Sequence, residues 1–149
     1  MALGIRNAYR AWGELGHSVK WVYERNAVLQ NLGWKFKRQG IPWILETNAP
    51  LFYEAKVERN TVALGSVARA HELRTYRACD VLDCISDALR KIVIDEAKIK
   101  DDKIVIMPNG VDTDHFDPSK HTATRYFEGF TIGYIGTVSY THLRAHETS

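Results

Sequence analysis

A chain of 149 residues, 45% hydrophobic and 26% charged, can build a domain with a real core, and its composition is neither disordered nor fibrous. Its net charge of +2 comes from basic residues interspersed with acids, which excludes the concentrated cationic face of a nucleic-acid-binding module. No apolar run approaches the roughly 20 residues of a membrane span, and the first residues lack a signal-peptide pattern. A cytoplasmic protein is therefore expected, with attachment to the inner face of a membrane as an option.

The spacing of Leu3, Ile5, Ala8 and Trp12 predicts a helix over Ala2–Leu15, ended by Gly16. Val19–Tyr23 alternates and reads as a strand. Arg25–Arg38 reads as a helix with Val28, Leu29, Leu32 and Phe36 on one side, and Gly40 stands at its C-cap. Ile41–Leu45 is a short strand with Pro42 near its start. A loop begins at Glu46, and a longer helix covers about Val62–Tyr76. The run Val81–Ile85 is a strand, Ser86 caps a helix over Asp87–Ala97, Asp101 and Asp102 mark a turn, and Ile104–Met107 is a further strand. Such alternation predicts an α/β fold, a Rossmann-like parallel sheet with helices on both faces. Functional loops of such a sheet lie beyond the C-terminal ends of its strands. Residues 108–130 read as a linker, and residues 131–138 as an apolar strand entering a glycine turn, the start of a second α/β unit.

Cys79 and Cys84 lack redox or zinc spacing, and Cys84 falls at a core position, as free thiols of a reducing compartment do. The histidines form no metal-ligand spacing before residue 139, so no metal is expected. Trp21, Trp34 and Trp43 fall on apolar positions and are expected to pack between helices and sheet.

Three places could carry chemistry. Glu46 and Asn48 follow a strand and offer acceptors and a donor for sugar hydroxyls; capping or pairing with nearby cations is the alternative. Arg25 follows another strand end and could meet a phosphate, or pair with an acid. Gly136 sits in a glycine turn that admits close approach of a pyrophosphate, or is simply a tight turn.

Four stretches together resemble glycosyltransferase family 4. They are VYERN (22–26), GIPWILETNAP (40–50), YRACDVLDCISDALRKIVI (76–94), and PNGVDTDHFDP (108–118) followed by IGYIGT (132–137). The resemblance runs over roughly residues 19–137. It implies a GT-B architecture of two Rossmann-like domains: residues 1–107 belong to an acceptor-side N-terminal domain incomplete at its start, and residues 131–138 open the donor-binding domain. It implies retaining transfer of a sugar from a nucleotide-diphosphate donor to an acceptor hydroxyl. The acceptor is a carbohydrate or lipid-linked, and the donor is a substrate, so no cofactor is implied. Glu46 and Asn48 would line the acceptor side of the cleft. Gly136 would open the donor phosphate loop. Asn109, Gly110 and Asp112 would mark the crossing between domains, with Asn109 and Asp112 fixing its path and Phe116 and Pro118 packing it. The family's basic and acidic donor-site residues have no counterpart here, so this chain alone is expected to be inactive. Residues 139–149, SYTHLRAHETS, depart from the family and resemble translated adaptor sequence; they are read as a non-native tail. A different GT-B enzyme, such as an epimerase, and a non-catalytic carbohydrate- or nucleotide-binding module are the alternatives.

Overall fold

A computed structural model describes residues 2–16, 18–29, 31–51, 62–122 and 127–132. The chain divides into two compact units, Met1–Gly110 and Val111–Ser149.

The first unit begins with helix α1 (Ala2–Leu15), followed by strand β1 (Val22–Arg25), helix α2 (Gly33–Lys37) and strand β2 (Trp43–Thr47). Helix α3 (Val62–Ala78), strand β3 (Val81–Cys84), helix α4 (Asp87–Ala97) and strand β4 (Ile104–Ile106) complete it. The four strands form one parallel sheet in chain order, β1-β2-β3-β4. This is the α/β, Rossmann-like architecture that the alternation of elements predicts.

Register sorts the side chains. Val22 lies beside Trp43, Leu45 beside Leu82, and Thr47 beside Cys84, so these residues share one face. Trp43, Leu45, Leu82 and Cys84 from that face pack with Leu73 and Tyr76 of α3 and with Leu89, Val93 and Ala97 of α4 in one core. Trp34 of α2 also packs against this core, so the described crossover helices lie on this face. The other face carries Tyr23, Ile44, Glu46, Asp83 and Val105. Helix α1 lies against α2 through two edge-to-face pairs, Tyr9 with Trp34 and Trp12 with Phe36. No helix among the described residues is long and apolar enough to cross a membrane.

The helix expected over Arg25–Arg38 shrinks to Gly33–Lys37. Glu24 accepts hydrogen bonds from the backbone N–H of Leu32 and of Gly33, capping α2 from the neighbouring strand. Asn31 donates to Thr75 Oγ1 at 2.6 Å, and Leu29 adopts a left-handed φ of 56°. A non-glycine residue pays roughly 1–2 kcal/mol for that conformation, so long-range hydrogen bonds here outweigh the local helical pattern. Gly33 must be glycine for another reason: a Cβ there would meet the Trp43 indole at 2.1 Å.

Strand boundaries shift as well. The first strand runs Val22–Arg25 rather than Val19–Tyr23, and the second reaches Thr47, which puts Glu46 inside the sheet rather than in the loop. Gly40 adopts φ +81°, as its place after α2 requires. Ser86 caps α4 by accepting from the Leu89 N–H at 3.2 Å. Trp43 is fully buried and Trp34 packs against the core, but Trp21 is 59% exposed and does not pack as expected. Both cysteines are buried and free.

In the second unit Asp112 accepts from the N–H groups of Asp114 and His115, each at 3.0 Å, and closes a turn. Asp117 caps a short 3-10 helix, Pro118–Lys120. Phe116 is 67% exposed and meets His115 edge-on, so it does not pack as expected. Gly136, the strand expected over residues 131–138 beyond Ile132, and the tail 139–149 lie outside the described residues.

Candidate functional site

Parallel strands bring their C-terminal ends to one rim, and the backbone groups there lack sheet partners. The ends of β1 and β2 place Arg25, Asn26, Glu46, Thr47 and Asn48 together at this rim.

Arg25 and Glu46 are cross-strand partners in the β1–β2 register. Arg25 Nε lies 3.9 Å from Glu46 Oε1, with the arginine side chain 72% exposed and the glutamate 20%. Such a long pair with an exposed arginine contributes about 0–1 kcal/mol, so Arg25 can exchange this contact for a ligand's hydroxyl or anionic oxygen, and Glu46 for a ligand's hydroxyl. Asn48 follows at the strand exit, half-buried, and its Oδ1 is buried with no hydrogen-bond partner among the described residues. A buried, unpartnered amide oxygen is costly and invites a donor. Sequence reasoning places these three residues separately; the fold brings Arg25 and Glu46 side by side and Asn48 just beyond them.

Beneath the rim lies a polar network that the sequence did not reveal. Glu72 of α3 is 5% exposed and Tyr76 is 1% exposed. Glu72 accepts from Asn26 Nδ2 at 3.0 Å, from the Leu51 N–H at 3.0 Å and from the Tyr76 hydroxyl. The Tyr76 hydroxyl also meets Thr47 Oγ1 at 2.9 Å. One helix thereby holds the exits of β1 and β2 at once. Burial, reinforced by the Glu72 carboxylate, pushes the Tyr76 phenol well above its ordinary range. The sequence signal was the i, i+4 spacing of Glu72 and Tyr76, which sets both on one helix face; their partner Asn26 was hidden inside an expected helix.

On the other sheet face Tyr23 donates to Asp83 Oδ2 at 2.6 Å, and this bond raises the Tyr23 pKa, with burial adding to it. Asp83 and Glu46 occupy paired positions on β3 and β2. Glu24, partly buried, has its pKa raised by burial against the pull of the Gly33 and Leu32 N–H groups.

Asn109 and Gly110 are exposed at the end of the first unit, and Asp112 holds its own turn in the second. Among the described residues no group of three or more His, Cys, Asp or Glu side chains could hold a metal ion.

Comparison with known families gives a match to Glycosyltransferase Family 4 over residues 27–115, from the loop after β1 through α2, β2, α3, β3, α4 and β4. Neither the curated proteins nor the solved structures provide a match. The family match covers more than half of the chain and contains Glu46, Asn48, Asn109, Gly110 and Asp112, with Arg25 just before it. The parallel sheet, the polar strand-end rim and the extent of this match make the chain a member of glycosyltransferase family 4.

Proposed function

We propose that the rim formed by Arg25, Glu46 and Asn48 is the acceptor side of a transferase that moves a sugar, a hexose for preference, from a nucleotide-diphosphate donor to an acceptor hydroxyl with retention at the anomeric carbon. The observation that carries this reading is the loose Arg25–Glu46 pair, 3.9 Å apart at the ends of parallel strands within a glycosyltransferase family 4 chain. Glu46 would accept a hydrogen bond from an acceptor hydroxyl, Asn48 Oδ1 would accept another, and Arg25 would donate to a hydroxyl or a phosphate oxygen. The network on Glu72 and Tyr76 would hold these groups in place while an acceptor docks, and preorganisation of this kind lowers the cost of orientation.

Transfer also requires stabilisation of the leaving diphosphate as charge builds on it. That task is assigned to residues after Gly110, with Gly136 opening the phosphate loop and Asn109, Gly110 and Asp112 marking the crossing. The described rim alone is expected to bind acceptor without turning it over. The acceptor is a carbohydrate or a lipid-linked one; the enzyme would work in the cytoplasm, and a lipid-linked acceptor would bring it to the inner face of the membrane. No cofactor is required beyond the donor substrate.

The test is an amide NMR titration of this chain with a panel of methyl glycosides and, separately, with UDP and GDP. Glycosides should shift Arg25 and Glu46–Ala49, and Glu46→Gln or Asn48→Ala should weaken the effect by about tenfold, as loss of one hydrogen bond to a charged or buried partner predicts. Nucleotides that perturb this rim while every glycoside leaves it unchanged would overturn the assignment.

A further inference from the structure

A second concavity lies apart from the strand-end rim, between α1, α2 and α3. Its volume is about 800 Å³, within the range of small-molecule sites. Its walls include Lys37 and Arg38 from the end of α2, Arg77 and Ala78 from the end of α3, and Trp43 from the start of β2. Arg25, Glu46 and Asn48 are not among its lining residues.

The charge on its walls is one-sided. Lys37, Arg38, His71, Arg74 and Arg77 all line it, and none of the lining residues is an acid. Some of this charge is already balanced. Lys37 pairs with Asp80 at 2.8 Å, and Arg77 donates to the Ala97 carbonyl at 2.7 Å. Arg38 rests over the Trp34 ring with its guanidinium carbon 5.6 Å from the centroid, and its N–H fork meets no carboxylate among the described residues. Arg74 makes no ion pair or hydrogen bond among the described residues. Like charges gathered in a concavity repel one another and focus a positive potential on its interior. Burial lowers the His71 pKa, and the positive charges of the N-terminus and then Arg74 add to the effect.

The remaining walls are apolar. Trp34, Ile5 and Leu29 line the cavity, and the fully buried Trp43 backs them. Two arginines with no carboxylate partner among the described residues, next to such a surface, match a ligand with a phosphate at one end and an apolar body at the other.

We propose that the cleft between α1, α2 and α3 is a binding site for a phosphate ester with an apolar body, held by Arg38 and Arg74 at its phosphate and by Trp34, Ile5 and Leu29 along its body. The site is independent of the acceptor rim, and the two can fail separately. The same chemistry is offered by a soluble phosphate ester and by a phospholipid head group.

The test is a tryptophan-fluorescence titration of this chain with dodecyl phosphate below its micellar concentration, with dodecyl maltoside as the neutral counterpart. Saturable binding of the phosphate, at least tenfold tighter than of the maltoside, is expected. Arg74→Gln should weaken it at least tenfold, while Lys91→Gln, on α4 and outside the cleft, should leave it unchanged. Circular dichroism of both variants checks that the fold is kept. Equal binding of the two amphiphiles, equal weakening by the two variants, or no saturable binding overturns the proposal. A vesicle arm separates the sources. Arg74-dependent cosedimentation with phosphatidic acid vesicles, but not phosphatidylcholine vesicles, assigns the ligand to a membrane lipid; binding of dodecyl phosphate without cosedimentation assigns it to a soluble ester.

Discussion

Replacing Glu72 by alanine isolates what holds the rim in place. The carboxylate accepts from Asn26 Nδ2, the Leu51 N–H and the Tyr76 hydroxyl, and the residue is 5% exposed. Each donor left buried without a partner costs about 1–3 kcal/mol. The three share one acceptor group, so their losses are coupled rather than additive. A total near 3–5 kcal/mol is expected, a large share of the roughly 5–15 kcal/mol that stabilises a domain. The assay is urea denaturation followed by tryptophan fluorescence. With a slope near 2 kcal/mol per M, the midpoint should fall by about 2 M at unchanged slope. Glu72→Gln keeps one acceptor oxygen and should lose only about 1 kcal/mol. A midpoint shift below about 0.5 M for Glu72→Ala would mean that water reaches the stranded donors. The claim that α3 rigidly holds the exits of β1 and β2 would then be wrong.

Gly33→Ala forces a methyl group to within 2.1 Å of the buried Trp43 indole, so a loss of about 1–3 kcal/mol or more is expected, with a shifted Trp43 emission spectrum. Ser86→Ala removes the side-chain acceptor for the Leu89 N–H and should cost about 1 kcal/mol in a thermal or urea melt. Burial pushes the Cys79 thiol up to about 11 and the Cys84 thiol up to about 12. The folded state therefore keeps protons that the unfolded chain releases near pH 8.5–9, and stability present below that range should fall as pH rises through 9 to 12. Melts across this range check the slope, and Cys84→Ala should flatten it. A thiol reagent at pH 8 should label neither cysteine in the native state and both in urea, as buried protonated thiols require.

The fold was legible wherever local pattern and tertiary structure agree. α1 and α4 have the expected bounds because their apolar spacing and the Ser86 cap are local signals. Trp43, Leu45 and Thr47 alternate into the core, so β2 was visible, although its end at Thr47 depends on pairing with Cys84 rather than on its own sequence. The segment after β1 was misread because its conformation is set from a distance. Asn26 and Asn31 are tied to α3, 46 and 44 residues away, and no helical periodicity reports such bonds. The site was legible in part for the same reason. Arg25, Glu46 and Asn48 stand out as polar residues near strand ends. Their adjacency is a property of sheet register, and the Glu72–Tyr76 support beneath them is a property of the packing of α3.

The order of strands in the sheet has a consequence for how the molecule is made. Each strand lies beside the one synthesised just before it, so the sheet can grow in one direction as the chain leaves the ribosome. At about 5–20 residues per second, the stretch from Thr47 to Val81 takes roughly 2–7 s to emerge. That interval is long compared with the microsecond scale on which helices and short strand pairs form. The helix α3 therefore has time to form and to bring Glu72 and Tyr76 to the exits of β1 and β2 before β3 arrives to extend the sheet. Nascent intermediates are accordingly sheets with one growing open edge, and that edge is where a ribosome-bound chaperone or a neighbouring nascent chain would compete for pairing.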